Sequence, residues 1–214
     1  MLQKETGTTV NMRTGAEPER TGMSLDARET SLDEGWGPLS QLPGNPMIWL
    51  LIISEIAVFG AGFAGFVIAF LMDPETFTAS QDTLNRLAGA INTMVLVTSG
   101  LFAALAVKEE SEGRTGRMRM WILLSILTGL VFLGVKYVEY AGEIAAGHTI
   151  DTNTFFTLYY LLTGFHALHV VLGIVILAVV AWKHSLDNLE TGAAFWHMVD
   201  LIWVILFPVV YLLR

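Results

Sequence analysis

The chain contains no cysteine among its 214 residues. That excludes disulfides, thiolate metal sites, iron–sulfur clusters and c-type haem attachment. Charge is also scarce. Only 15% of residues are Asp, Glu, Lys or Arg, whereas a soluble domain carries about a quarter. Proline is rare inside the long apolar runs, where only Pro208 occurs. The first 45 residues lack the short apolar core of a signal peptide, so no cleaved targeting segment is expected.

What fills the chain instead is apolar sequence. Hydrophobic residues make up 53%, the mean hydropathy is +0.56, and they gather in blocks long enough to cross a bilayer core. The chain reads as an integral membrane protein. Its formal net charge of −8 arises largely in the N-terminal tail and the loops, and so identifies no partner.

Residues 1–45 are polar, with four Lys/Arg against seven Asp/Glu. Such a segment buries too little apolar surface to order itself and is expected to be a disordered tail. Residues 46–214 are expected to form a five-helix membrane domain, with spans at about 48–72, 87–107, 120–140, 155–182 and 193–213. Only helices satisfy their own backbone in lipid without closing a barrel, so the fold class is all-α, a polytopic bundle. Short loops make consecutive helices antiparallel neighbours. The loop at 108–119 carries Lys108, Arg114, Arg117 and Arg119, while that at 141–154 carries no Lys or Arg. The excess of basic residues places the N-terminus in the cytoplasm and the C-terminus on the far side.

In the first span Ala57, Ala61, Gly65 and Ala69 recur every four residues. Small residues at this spacing let helix backbones approach closely, within the bundle or against another subunit.

An ionisable group at bilayer depth costs at least ~2.5–3.5 kcal/mol on insertion scales, so it usually faces protein or water and has a partner. Glu55 lies about 10 Å into the first span at 1.5 Å per residue, and Asp200 is about as deep in the last, with His197 one turn shallower. These three form a candidate buried polar cluster if the first and last spans are adjacent. Lys136 and Glu139 are spaced to pair with each other, either functionally or as a self-neutralising pair snorkelling to the outer interface. His166 and His169 sit near the middle of the fourth span, and Trp196 and Trp203 flank the His197–Asp200 pair. The histidines admit three readings: metal ligands, proton carriers or interhelical hydrogen bonds. Metal would need further ligands from other helices, and the paired Glu-x-x-His of ferritin-like sites is absent. No ladder of groups crosses both leaflets, which leaves helix positioning or lipid-headgroup or partner contact as the preferred role of His166 and His169, and likewise of Lys136, Glu139, Trp196 and Trp203.

Four segments then carry a resemblance. WHMVDLIWVILFPVVYLL at 196–213, GFHALHVVLG at 164–173, IISEIAVFG at 52–60 and VEY at 138–140 resemble, in the same order, the signature segments of subunit III of haem–copper oxidases. Five spans resemble the short bacterial form of that family. The resemblance implies a non-catalytic subunit that holds no haem or copper and supports assembly, stability or proton uptake of catalytic subunit I in the electron transport chain. Haem with copper or non-haem iron would belong to the partner. Phospholipid would contact this chain, and no nucleic acid is implied. The location implied is the bacterial inner membrane, with a periplasmic C-terminus. By position, Glu55 resembles the family's carbodiimide-reactive carboxylate. His166, His169, Glu139, Trp196, His197 and Asp200 resemble residues with structural or lipid-facing roles. Lys136 departs from the family's Gln-x-x-Glu-Tyr pattern. With the chain length and Phe207-Pro208, this makes the chain most like the E-type accessory protein of nitric oxide reductases. Subunit III of an aerobic cytochrome c or quinol oxidase is the alternative, and a small proton-conducting transporter a more distant one.

Overall fold

A computed structural model describes residues 46–183 and 185–213. The polar tail expected over 1–45 lies outside the described residues. Six helices follow one another: α1 Pro46–Met72, α2 Pro74–Gln81, α3 Arg86–Ser111, α4 Thr115–Ala145, α5 Thr154–Lys183 and α6 Leu186–Tyr211. All but α2 are long and apolar enough to cross a membrane. The starts are chemically marked. Asp73 accepts a hydrogen bond from the Thr76 amide at 3.2 Å, Asn85 from Ala88 at 3.0 Å and Asn153 from Phe156 at 3.0 Å, each relieving one unpaired donor of a first turn. Gly113 (φ 72°) and Gly147 (φ 90°) reverse the chain after α3 and α4, in a backbone region that favours glycine.

Helix α6 holds the centre of the bundle. It packs on α5, α3 and α1, while α4 lies along α3 and closes against α5. Trp196, Val199, Trp203, Leu206, Val210 and Tyr211 of α6 are fully buried. By contrast, Leu50, Ile53 and Ile68 of α1 and Ile91 and Met94 of α3 are exposed. A helix apolar on all sides is suited to a lipid surround.

The helices overrun the expected spans. Helix α4 starts five residues before the apolar run, and α6 starts at Leu186 although apolar sequence becomes continuous only near residue 193. Hydropathy detects contact with hydrocarbon, whereas a helix continues wherever its backbone bonds can close, so polar turns extend it. The stretch at 73–86, expected as a loop, contains α2. Its Phe77 is buried against Phe66 of α1 and Phe155 of α5, with ring centroids 5.3 and 5.5 Å away. Gln81 donates to the Val210 carbonyl at 2.9 Å, which fastens α2 to the end of α6.

The small-residue stripe of α1 does not face the bundle. Ala57, Ala61 and Gly65 are exposed and Ala69 alone is partly covered. The buried face is Ile52, Phe59, Phe66 and Phe70. Large aromatic side chains bury far more apolar area than alanine, and their contacts set the rotation of the helix.

Candidate functional site

Polar side chains meet inside the bundle at three levels. At the end bearing the 141–154 loop, Lys136 and Glu139 face inward with side chains only 2% and 7% exposed. Lys136 Nζ donates to Glu139 Oε1 at 3.1 Å, to Tyr159 Oη at 3.1 Å and to Tyr211 Oη at 3.0 Å, which uses all three ammonium donors. The two tyrosine hydroxyls in turn donate to Glu139 Oε1, Tyr159 at 2.6 Å. The Tyr140 ring stands 4.7 Å from Nζ. The pair therefore ties α4 to α5 and α6. This corrects the snorkelling reading: acceptors and aromatic faces supplied within the bundle satisfy the ammonium without water. The tyrosines were not singled out from sequence, because aromatic hydroxyls near a helix end are equally expected of an interfacial belt. Their spacing relative to Lys136 carries no signal across three helices.

In mid-bundle, His166 is fully buried and donates from Nε2 to the Val199 carbonyl at 3.1 Å, which joins α5 to α6. The Phe132 and Trp203 rings lie 5.6 and 5.0 Å from its ring. His169 donates from Nδ1 to the Phe165 carbonyl at 2.8 Å, and its Nε2 meets Glu55 Oε2 at 3.1 Å. Glu55 thus pairs with α5, so the expected Glu55–His197–Asp200 cluster is not formed, although α1 and α6 do touch. The pairing with His169 was not foreseen, although α5, Thr154–Lys183, covers the span expected. Counting residues from the loops leaves open how antiparallel helices are offset and rotated against one another. Helix α1 also turns Ile52 and Phe59 inward, which swings Glu55 to the side facing α5.

On α6 itself, His197 Nδ1 and Asp200 Oδ2 lie 3.9 Å apart, on a shallow groove beside α3 that includes Gly100 and Ala104. The Asp200 carboxylate occupies the space that a side chain at Gly100 would take, and its Oδ1 has no partner among the described residues. Trp196 packs edge-on over Gly129 of α4 and Gly173 of α5, and its Nε1 donates to Ser99 Oγ at 3.2 Å. Ser99 and Ser125 each donate to the other's carbonyl, at 2.7 and 3.0 Å, which clasps α3 to α4. Trp203 Nε1 donates to Thr93 Oγ1 at 3.0 Å. The serine clasp was not foreseen, since small hydroxyl residues are common in apolar helices and their partners are set by helix pairing.

Among the described residues no three His, Asp or Glu side chains converge as a metal would require. Both nitrogens of His169 are engaged in hydrogen bonds, as is Nε2 of His166. What the arrangement provides is side-chain hydrogen bonds that join α1 to α5, α3 to α4, and α6 to α3, α4 and α5.

Known proteins place this architecture. The family model for cytochrome c oxidase subunit III matches residues 45–214. Cytochrome c oxidase subunit 3 of Thermostichus vulcanus is 32% identical over 176 residues, covering 77% of this chain and 84% of that protein. Its counterpart in Bacillus subtilis is 30% identical over 179 residues, covering 77% and 84%. A probable cytochrome c oxidase subunit 3 of Mycobacterium tuberculosis is 27% identical over 202 residues, covering 91% and 97%. A multi-pass helical bundle in which every spanning helix lies within the matched residues leaves one conclusion: the chain belongs to the cytochrome c oxidase subunit III family.

Proposed function

We propose that this chain is a supporting subunit, without a redox centre of its own, of a haem–copper-type respiratory complex. It serves the assembly, stability or proton uptake of catalytic subunit I, which carries the haem together with copper or non-haem iron. The family match across residues 45–214 carries this reading. The interior supports it, because its polar groups are spent on joining helices.

The partner we favour is a nitric oxide reductase, with the chain as its E-type accessory protein in denitrification. Lys136 supports this, since it replaces the glutamine common in the respiratory oxidases and is integrated into the bundle by Glu139 and two tyrosines. The second reading is subunit III of an aerobic oxidase, and it is supported by the relatives above, all described as cytochrome c oxidase subunit 3. In either case the N-terminus lies in the cytoplasm and the C-terminus in the periplasm of a bacterial inner membrane, on the strength of Lys108, Arg114, Arg117 and Arg119 in one short loop.

Affinity purification of the full chain from its host, grown with oxygen and under denitrifying conditions, tests the proposal. Recovery with a haem-containing partner is the expected result, and the partner's identity separates the two readings. Recovery of the chain alone under both regimes overturns them together.

A further inference from the structure

A groove of about 590 Å³ opens between the start of α3 and the outer turns of α4, at the end that bears the 141–154 loop. Thr83, Asn85, Glu139 and Glu143 form its polar part. Glu139 and Glu143 are four residues apart on α4, so they share one face with about 5–6 Å between their Cβ atoms. Two carboxylates at this spacing repel each other. Glu143 also stands in the last turn of α4, which contains no basic residue, where the unpaired carbonyls of the helix end already present negative charge.

This charge is not balanced from within the bundle. The Glu139 side chain is only 7% exposed, and Lys136, Tyr159 and Tyr211 all donate to its Oε1. Its Oε2 is buried with no partner among the described residues. An unmet buried acceptor is costly, and more so when charged. Nearby groups are committed elsewhere. Lys136 has all three N–H groups engaged, His148 Nδ1 meets Glu143 Oε2 at 2.7 Å, and Asn85 caps α3 by accepting from the Ala88 amide. With His148 neutral, one ammonium faces two carboxylates, and a single positive charge is missing.

We infer that the groove holds a singly charged metal cation, of the sodium or potassium class, between Glu139 Oε2 and Glu143. The Thr83 hydroxyl, which donates to the Ser80 carbonyl at 2.8 Å, keeps its oxygen lone pairs for the ion. The groove offers oxygen ligands only, which selects a hard cation over zinc or copper. A doubly charged ion would place excess positive charge beside the Lys136 ammonium, 3.1 Å from Oε1. A single charge closes the balance. An alkali ion completes its shell with neutral oxygens and water, so two carboxylates suffice where zinc needs three or four protein ligands. Bound there, the ion ties the last turns of α4 to the turn ahead of α3. The site is independent of which respiratory complex the chain joins.

Thermal unfolding of the purified full-length chain in detergent tests this, at one ionic strength set with sodium, potassium or choline chloride. An ion at about ten times its dissociation constant raises Tm by about 3–6 °C for a chain of this size, and the rise saturates. Sodium or potassium is expected to give this rise, and choline is not. Glu143→Gln removes the response while Tm in choline stays the same or increases, because the amide oxygen still accepts from His148. Glu139→Gln does the same, and if it does not fold, Glu143→Gln decides. Asp151→Asn, which removes an exposed carboxylate of the 141–154 loop, keeps the response. Equal Tm in the three salts overturns the inference, as does a response that survives Glu143→Gln or is lost in Asp151→Asn. Stabilisation by calcium with none by sodium or potassium overturns it too. In an experimental map of the protein in rubidium chloride, an anomalous peak between Glu139 and Glu143 is expected. An ordered water alone on Oε2, or a basic side chain of the catalytic subunit in that place in the purified complex, overturns the ion.

Discussion

His169 Nδ1 donates to the Phe165 carbonyl at 2.8 Å while its Nε2 lies 3.1 Å from Glu55 Oε2. A carbonyl only accepts, so Nδ1 carries a proton. A neutral imidazole then presents a lone pair at Nε2, which an ionised carboxylate cannot approach favourably. The pair must hold one further proton, as imidazolium with carboxylate or as imidazole with carboxylic acid.

That count leads to opposite outcomes for two substitutions. Glu55→Gln supplies an amide N–H to Nε2 and leaves the stability of the purified chain within about 1 kcal/mol. His169→Phe leaves Glu55 in the bundle with no donor and lowers stability by about 1–3 kcal/mol. Thermal unfolding in detergent measures both, and equal losses would contradict the shared proton.

Lys136 and Glu139 are buried together, so removing one partner strands the other. Lys136→Met is expected to cost about 3 kcal/mol, near the lower end for a broken buried pair because two tyrosine hydroxyls still reach the carboxylate. Lys136→Met combined with Glu139→Leu recovers most of that loss. Denaturant unfolding of the two single variants and the double variant gives the coupling, and strict additivity would rule out the pair as a unit.

Trp196 depends on two glycines that let its ring approach. A methyl group at Gly173 would lie 2.6 Å from the ring, and one at Gly129 would lie 2.9 Å from it, whereas Gly134 on the same helix as Gly129 has open space. Gly173→Ala and Gly129→Ala are expected to cost about 1–3 kcal/mol through overpacking. Gly134→Ala is neutral or stabilising in the same unfolding assay.

Asp200 has an unpartnered Oδ1 and no hydrogen bond to Glu55. A cluster linking them would make Asp200→Asn costly. The observed geometry predicts instead that Asp200→Asn leaves the isolated chain at least as stable, since an under-satisfied buried carboxylate is replaced by a neutral amide. A loss above about 1 kcal/mol in thermal unfolding would show a partner for Asp200 that the geometry does not provide.

Much of the architecture was legible in the order of residues. The apolar blocks are long enough to require helices in lipid, their number and sequence order follow directly, and an ionisable side chain within them must find a partner. His166, His169, Glu55, Lys136 and Glu139 could therefore be singled out, because each stands against its surroundings. Ser99, Ser125, Tyr159 and Tyr211 could not, because nothing in their local sequence separates them from ordinary residues of membrane helices.

What the order of residues could not supply was the rotation and overlap of the helices. Counting from loops placed Glu55 near Asp200 and away from His169. The structure pairs Glu55 with His169, because α1 is turned by its phenylalanines so that Glu55 faces α5. Likewise, a lysine three residues before a glutamate announces an ion pair, but whether that pair faces lipid, water or protein depends on side chains from two other helices. Hydrophobicity is a one-body property that each residue carries with it. The partner of a buried polar group is a property of pairs, and those pairs exist only once the helices have packed.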